Sequence, residues 1–268
     1  MNKVLAAALS LPLVACVAGA EPAPSSEGGD GSAASGHITA STTWSGVIDV
    51  ATQVTVDPGI TLTVAAGTTI RLAAGTSIVV GGTVDVQGTK DAVVNVSPAT
   101  SGGHHYGFSI PAGGVLEMSY AVQVGGGFAI DGGKLTVTDT LMSRASGDLL
   151  VVGAGTVDMS YSQIGIEPGT GTDTTHCDAH FSGSGITIKI THSNISTSAY
   201  GLMLYGGTAV DLTHNNWFAN DIDVDTAPGV MGDVSGSWFA NGAPVAGGGA
   251  TLIASSPANK RLTDAGPR

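Results

Sequence analysis

Ile190-Thr191-His192-Ser193-Asn194-Ile195 is followed 22 residues later by Leu212-Thr213-His214-Asn215-Asn216-Trp217. Four further segments align with this pair without gaps: MSYAVQ at 118–123, VTDTLM at 137–142, MSYSQI at 159–164 and VSGSWF at 234–239. Their first residues are spaced by 19, 22, 31, 22 and 22 positions. A period near 22 marks a solenoid, in which each repeat is one turn of a coil. The step of 31 reads as one coil plus a nine-residue insertion within residues 166–184.

The columns of this alignment carry the physical argument. The first position is Met118, Val137, Met159, Ile190, Leu212 and Val234, all apolar and expected to stack inside. The next is Ser119, Thr138, Ser160, Thr191, Thr213 and Ser235, a hydroxyl each time. The preceding position, Glu117, Thr136, Asp158, Lys189, Asp211 and Asp233, reads as a solvated outer face. Such columns arise when strands stack in register at about 4.8 Å per coil. Upstream, residues 47–96 carry short alternating bursts such as Val54-Thr55-Val56 and Thr83-Val84-Asp85-Val86, broken by Gly or Asp-Pro. The fold class expected is all-β: a single-stranded right-handed parallel β-helix of about ten coils, about 50 Å long.

Composition agrees. Glycine is 41 of 268 residues, about twice the usual share, and charged residues are only 11%. That suits short strands and tight turns rather than helices. The formal net charge is −12, with only nine Lys and Arg, so no cationic cluster is available for a phosphate backbone and no nucleic-acid partner is expected.

The N-terminus reads as an export signal. Lys3 is followed by an apolar run over 4–15 and then Leu13-Val14-Ala15-Cys16, which resembles a bacterial lipobox. The expected organisation is a lipoprotein signal peptide over 1–15, lipidation at Cys16, a disordered tether over 16–36 and the β-helix over 37–268. The partner implied is a membrane, reached through the N-terminal lipid. Val17 after the cysteine points by analogy to the outer membrane or cell surface. Soluble secretion through Ala18-Gly19-Ala20 is the alternative.

The segments around Trp44-Ser45-Gly46, Val56-Asp57-Pro58-Gly59 and Ala66-Gly67-Thr68-Thr69 resemble the opening coils of bacterial right-handed β-helix (pectin-lyase-like) surface proteins. The repeats at 190–195 and 212–217 resemble their central coils, and Ser256-Pro257-Ala258 with Asp264-Ala265-Gly266 resembles their tail. The resemblance spans roughly 38–266 and speaks to fold more than function, because the fold hosts lyases, hydrolases and non-enzymatic adhesins. The long parallel faces of such a solenoid suit an extended partner such as polysaccharide.

Three sets of residues carry candidate chemistry. Asp221, Asp223 and Asp225 alternate with Ile222 and Val224, which places three hard oxygen ligands on one strand face for calcium, or leaves a plain solvated face. Pectate lyases use outward aspartates in this way, and a lyase here would draw on Asp211 and Asp233 with Lys189 as base. His176, Cys177 and His180 offer zinc ligands, although neighbouring strand residues point to opposite faces. Tyr120, Asp139, Tyr161, His192 and His214 form a column that reads as a ring platform for sugar, whereas Asn194, Asn216 and the nearby Ser and Thr residues read as a corner ladder satisfying turn amides. The ladder is the expected use. His104-His105-Tyr106 reads as surface decoration, and Trp217 with Trp238 as plugs for the widening end of the coil. No cofactor beyond calcium is suggested. The expected function is a non-catalytic, membrane-anchored envelope protein that binds polysaccharide or matrix. The alternative is a polysaccharide lyase or glycoside hydrolase.

Overall fold

The computed structural model describes residues 32–207, 209–249 and 251–268. The expected signal peptide, Cys16 and the first part of the expected tether lie outside these residues. The described chain contains no helix and forms a parallel β-solenoid of about ten turns.

Each complete turn contributes one strand to each of three parallel sheets. The first sheet stacks Thr42–Trp44, Thr61–Val64, Thr83–Gln87 and Val115–Ser119, and runs on through Thr187–Thr191 to Thr251–Ile253. The second includes Thr69–Leu72, Val94–Pro98, Ala121–Val124, Leu141–Ser143, Gln163–Ile164, Asn194–Ser196, Asn216–Phe218 and Trp238–Phe239. The third includes Ser77–Val80, Gly107–Pro111, Cys177–Phe181, Tyr200–Leu204 and Ile222–Thr226.

The columns expected from the repeats are the observed registers. Met118, Val137, Met159 and Ile190 lie opposite one another in successive turns. In the second sheet the inward column runs Ile48, Ile70, Val96, Gln123, Met142, Ile164, Ile195, Trp217, Phe239. All are buried, and each large apolar side chain removed from water contributes about 1.5–3 kcal/mol. Gln123 is the polar member, and neither of its side-chain amide atoms has a partner.

Between the first and second sheets the chain turns through a left-handed residue. Tyr120, Asp139, Tyr161, His192 and His214 have φ between 45° and 57°, and Gly236 continues the column at 70°. The residue that follows builds a buried ladder. The amide of Ala121 donates to Thr140 Oγ1, Thr140 to Ser162 Oγ, Ser162 to Ser193 Oγ, Ser193 to Asn215 Oδ1, and Asn215 to Ser237 Oγ, at 2.8–3.3 Å. Each side chain thus satisfies the corner amide of the turn before it, which an apolar residue would leave stranded. The ladder sits one position earlier than Asn194 and Asn216. The ring column forms as well: Tyr161 stacks on His192 at 5.1 Å, and His192 on His214 at 5.4 Å.

Several expectations need correction. The strand Ser32–Ile38 pairs with residues 48–56, so regular structure begins inside the stretch assigned to the tether. His105 is buried and bonds the Val124 carbonyl through Nε2 at 3.1 Å, so it is part of the coil wall rather than decoration. Trp217 fills the interior and stacks on Phe239 at 6.0 Å, whereas Trp238 lies in register with Asn216 on the outer column.

Candidate functional site

The expected insertion is located by the connections between the second and third sheets. Residues 197–199 and 219–221 make this connection in three residues, whereas residues 165–176 use twelve, nine more. This long connection stands beside the outer face of the second sheet. Residues 99–106 form a second long connection three turns earlier.

Between these walls the outer face is concave. A recess of about 630 Å³ is lined by Ser97, Pro98, residues 101–104, Val124, Gly125, Arg144, Thr172 and Thr174. It adjoins one of about 340 Å³, which shares Val124 and Arg144 and adds Val122, Leu141 and Gln163. A third, of about 240 Å³, shares Val122 and Leu141 and is edged by Lys90, Tyr120 and Arg268. Together they make a track running across several turns, with an apolar floor and a polar rim.

All four arginines of the chain are on this side. Arg71 projects from the second sheet and pairs with Asp49 at 2.6 Å. Arg261 pairs with Glu167 and stacks over Phe218 at 4.2 Å. Arg268 pairs with Asp139 and stacks over Tyr161 at 3.8 Å. Among the described residues, the guanidinium of Arg144 alone of the four has no carboxylate partner. Its Nε donates to the Thr172 carbonyl at 3.3 Å and its Nη2 to that of Thr170 at 3.5 Å, so the insertion holds the guanidinium at the rim.

The C-terminal segment covers the far end of the same face. Asn216 clamps the Leu262 backbone from both sides, accepting from its amide at 2.8 Å and donating to its carbonyl at 3.0 Å. Gly266 lies against Asn194 with φ +99°, where a Cβ would come 2.5 Å from the amide nitrogen, so only glycine fits. Its own amide donates to the His192 carbonyl at 2.8 Å.

The residues singled out for chemistry fall elsewhere. Asp211 and Asp233 are in register with Lys189 on the first sheet, as their column implies. Each carboxylate closes a local turn: Asp211 accepts from the amide and hydroxyl of Thr213, and Asp233 from the Ser235 amide. Lys189 reaches Asp158 at 4.0 Å. None of the three lines the recesses above.

Asp221, Asp223 and Asp225 do not share a face. The amides of Asp223 and Val224 both donate to the Val245 carbonyl, at 2.8 and 3.3 Å, which is the signature of a β-bulge. The bulge breaks the alternation and turns Asp223 inward beside Val224. There its carboxylate accepts from Asn220 Nδ2 at 3.2 Å and the Val245 amide at 2.9 Å, and burial pushes its pKa up. Asp221 is exposed, and Asp225 accepts from the Tyr205 hydroxyl.

His176, Cys177 and His180 also separate. Cys177 is fully buried, its thiol donates to the Ala179 carbonyl at 3.1 Å, and burial together with nearby carboxylates raises its pKa far above the ordinary thiol value. The two histidines point outward onto one carboxylate, His176 Nδ1 at 3.0 Å from Asp148 Oδ1 and His180 Nδ1 at 3.0 Å from Asp148 Oδ2. Tyr200 packs on His176 and Tyr205 on His180. Among the described residues no group of three or more His, Cys, Asp or Glu is placed to hold a metal ion.

The chain matches no protein family, no curated protein and no solved structure.

The arginine track was missed in the sequence because its parts come from successive turns and so lie about twenty or more positions apart in the chain: Ser97, Val124, Arg144 and Thr172 share no local motif. The one available signal was the break in the repeat, whose extra residues supply the wall.

Proposed function

We propose that this protein is an exported, lipid-anchored envelope protein that binds an extended polysaccharide along the outer face of its second sheet, without chemically altering it. The observation that carries the reading is the track from Lys90 and Arg268 to residues 101–104, centred on Arg144. Polysaccharide sites need length, an apolar floor for sugar C–H faces, and donors at the rim for hydroxyl or carboxylate groups. Val122, Val124 and Leu141 supply the floor, and the planar fork of Arg144 presents several donors in fixed geometry. The assignment to the envelope rests on the lipobox-like Leu13-Val14-Ala15-Cys16.

The non-catalytic reading draws support from the carboxylates. Asp211 and Asp233 are engaged in turn closure, and Lys189 is directed to Asp158, whereas a lyase or hydrolase needs acid and base converging in a cleft.

The test is a glycan array of neutral and acidic polysaccharides, with Arg144→Gln beside the wild type. Binding to at least one polysaccharide, reduced about tenfold or more by the substitution, is expected. No binding, or binding indifferent to Arg144, would reject the site. Shortened or unsaturated sugars detected by mass spectrometry after incubation would make the protein an enzyme instead.

A further inference from the structure

The bulge that buries Asp223 belongs to a column. Cys177 is in register with Tyr200, and Ala179 with Leu202, which sets Asp178 opposite Gly201; Gly201 is in turn opposite Asp223. Asp178 is fully buried, and neither of its carboxylate oxygens has a hydrogen-bond partner. The Ser198 hydroxyl and Ser196 amide flank it and favour its ionised form, but neither reaches hydrogen-bonding geometry.

A second carboxylate stands close by. Asp173, near the end of the insertion, accepts from the amides of Arg144 and Thr175 through Oδ1, at 3.0 and 2.9 Å. Its Oδ2 is buried and without a partner. Asp173 and Asp178 repel one another, and burial, the larger effect, with this repulsion drives the Asp178 carboxyl well above the usual range. Ser198 gives its proton to Asn220 Oδ1 at 3.2 Å, which leaves the lone pairs of Oγ free.

The stranded carboxylate atoms are therefore all acceptors. A proton on Asp178 would supply a single donor and leave the other oxygens stranded. A cation satisfies all of them together and offsets the repulsion, which burial would otherwise make costly. The donors are hard oxygens carried partly on a long connection, a set that suits calcium, with six to eight ligands at adaptable positions, better than magnesium or zinc.

We propose that Asp178 and Asp173 hold one calcium ion beneath the insertion, with the Ser198 hydroxyl as a further ligand and main-chain carbonyls and water completing the shell. The ion would fasten the connection that carries Thr170, Thr172 and Thr174 to the coil. This site is independent of the polysaccharide reading.

The test is a calorimetric titration of the chelator-treated full chain with calcium chloride, paired with thermal unfolding in calcium or EDTA. The wild type should bind one equivalent and melt about 5 °C or more higher when calcium is a hundredfold above its Kd. Asp178→Asn should abolish both effects, Asp173→Asn should weaken binding tenfold or more, and Asp223→Asn should titrate like the wild type. The proposal is overturned if the wild type shows no calcium response, or if Asp178→Asn keeps it. If Asp178→Asn does not fold, Asp173→Asn decides: an unchanged isotherm rejects the site.

Discussion

Arg268 and Asp139 are 129 positions apart in the chain and are joined by three hydrogen bonds. The Arg268 amide and Nε reach Asp139 Oδ1 at 3.0 and 2.9 Å, and Nη2 reaches Oδ2 at 2.7 Å. The Asp139 side chain is 1% exposed, at a corner whose φ is 50°. The C-terminal segment is thereby tied back across several turns of the coil.

This clasp is pH-dependent. Burial alone would raise the pKa of Asp139, but the Arg268 hydrogen bonds outweigh it and hold the carboxyl below its ordinary value. A folded-state pKa below the unfolded one contributes stability that is present above the unfolded pKa and lost as pH falls through the folded one. Amide exchange at Gly266 should accelerate as pH drops below the ordinary carboxylate range, beyond the intrinsic pH trend. Asp139→Asn should remove that acid-induced loosening; if the variant keeps it, the clasp is not its source.

The corner ladder predicts a cost at every rung. Ser193→Ala leaves the Ser162 amide without its acceptor, and should destabilise the fold by about 1–3 kcal/mol in urea denaturation. Asn215→Ala should cost more, because its side chain also donates to the Ile190 and Leu212 carbonyls at 2.6 and 2.8 Å. Equal or negligible losses would mean that water replaces the rungs.

Cys177 should be chemically silent in the native state. Its thiol is fully buried, and its pKa is raised by burial first and by the Asp148 and Asp178 carboxylates second. Reaction with a thiol reagent at neutral pH should therefore follow unfolding rather than reagent concentration. Rapid stoichiometric labelling of the folded protein would contradict this placement.

The repeats at 118–239 made the coil legible because stacking imposes like residues at like positions: Glu117, Thr136, Asp158, Lys189, Asp211 and Asp233 are one observed register. The nine surplus residues of the insertion were also legible, as a break in the period. Alternation misplaced Asp223, because a bulge set by pairing with Val245 in the next turn is not written in local sequence. Asp178, in the same column two turns earlier, was hidden likewise, because it reads as one more acid between histidines.

The amino-acid sequence by itself determined the coil, its period and its inward columns, since these follow from near-neighbour stacking of local patterns. Only the tertiary structure decided that Asp139 meets Arg268, that Arg144 faces a track built from Ser97 to Thr174, and that Asp178 is buried without a hydrogen-bond partner. Those juxtapositions depend on how far each connection reaches around the coil, and on small slips of register that accumulate between turns.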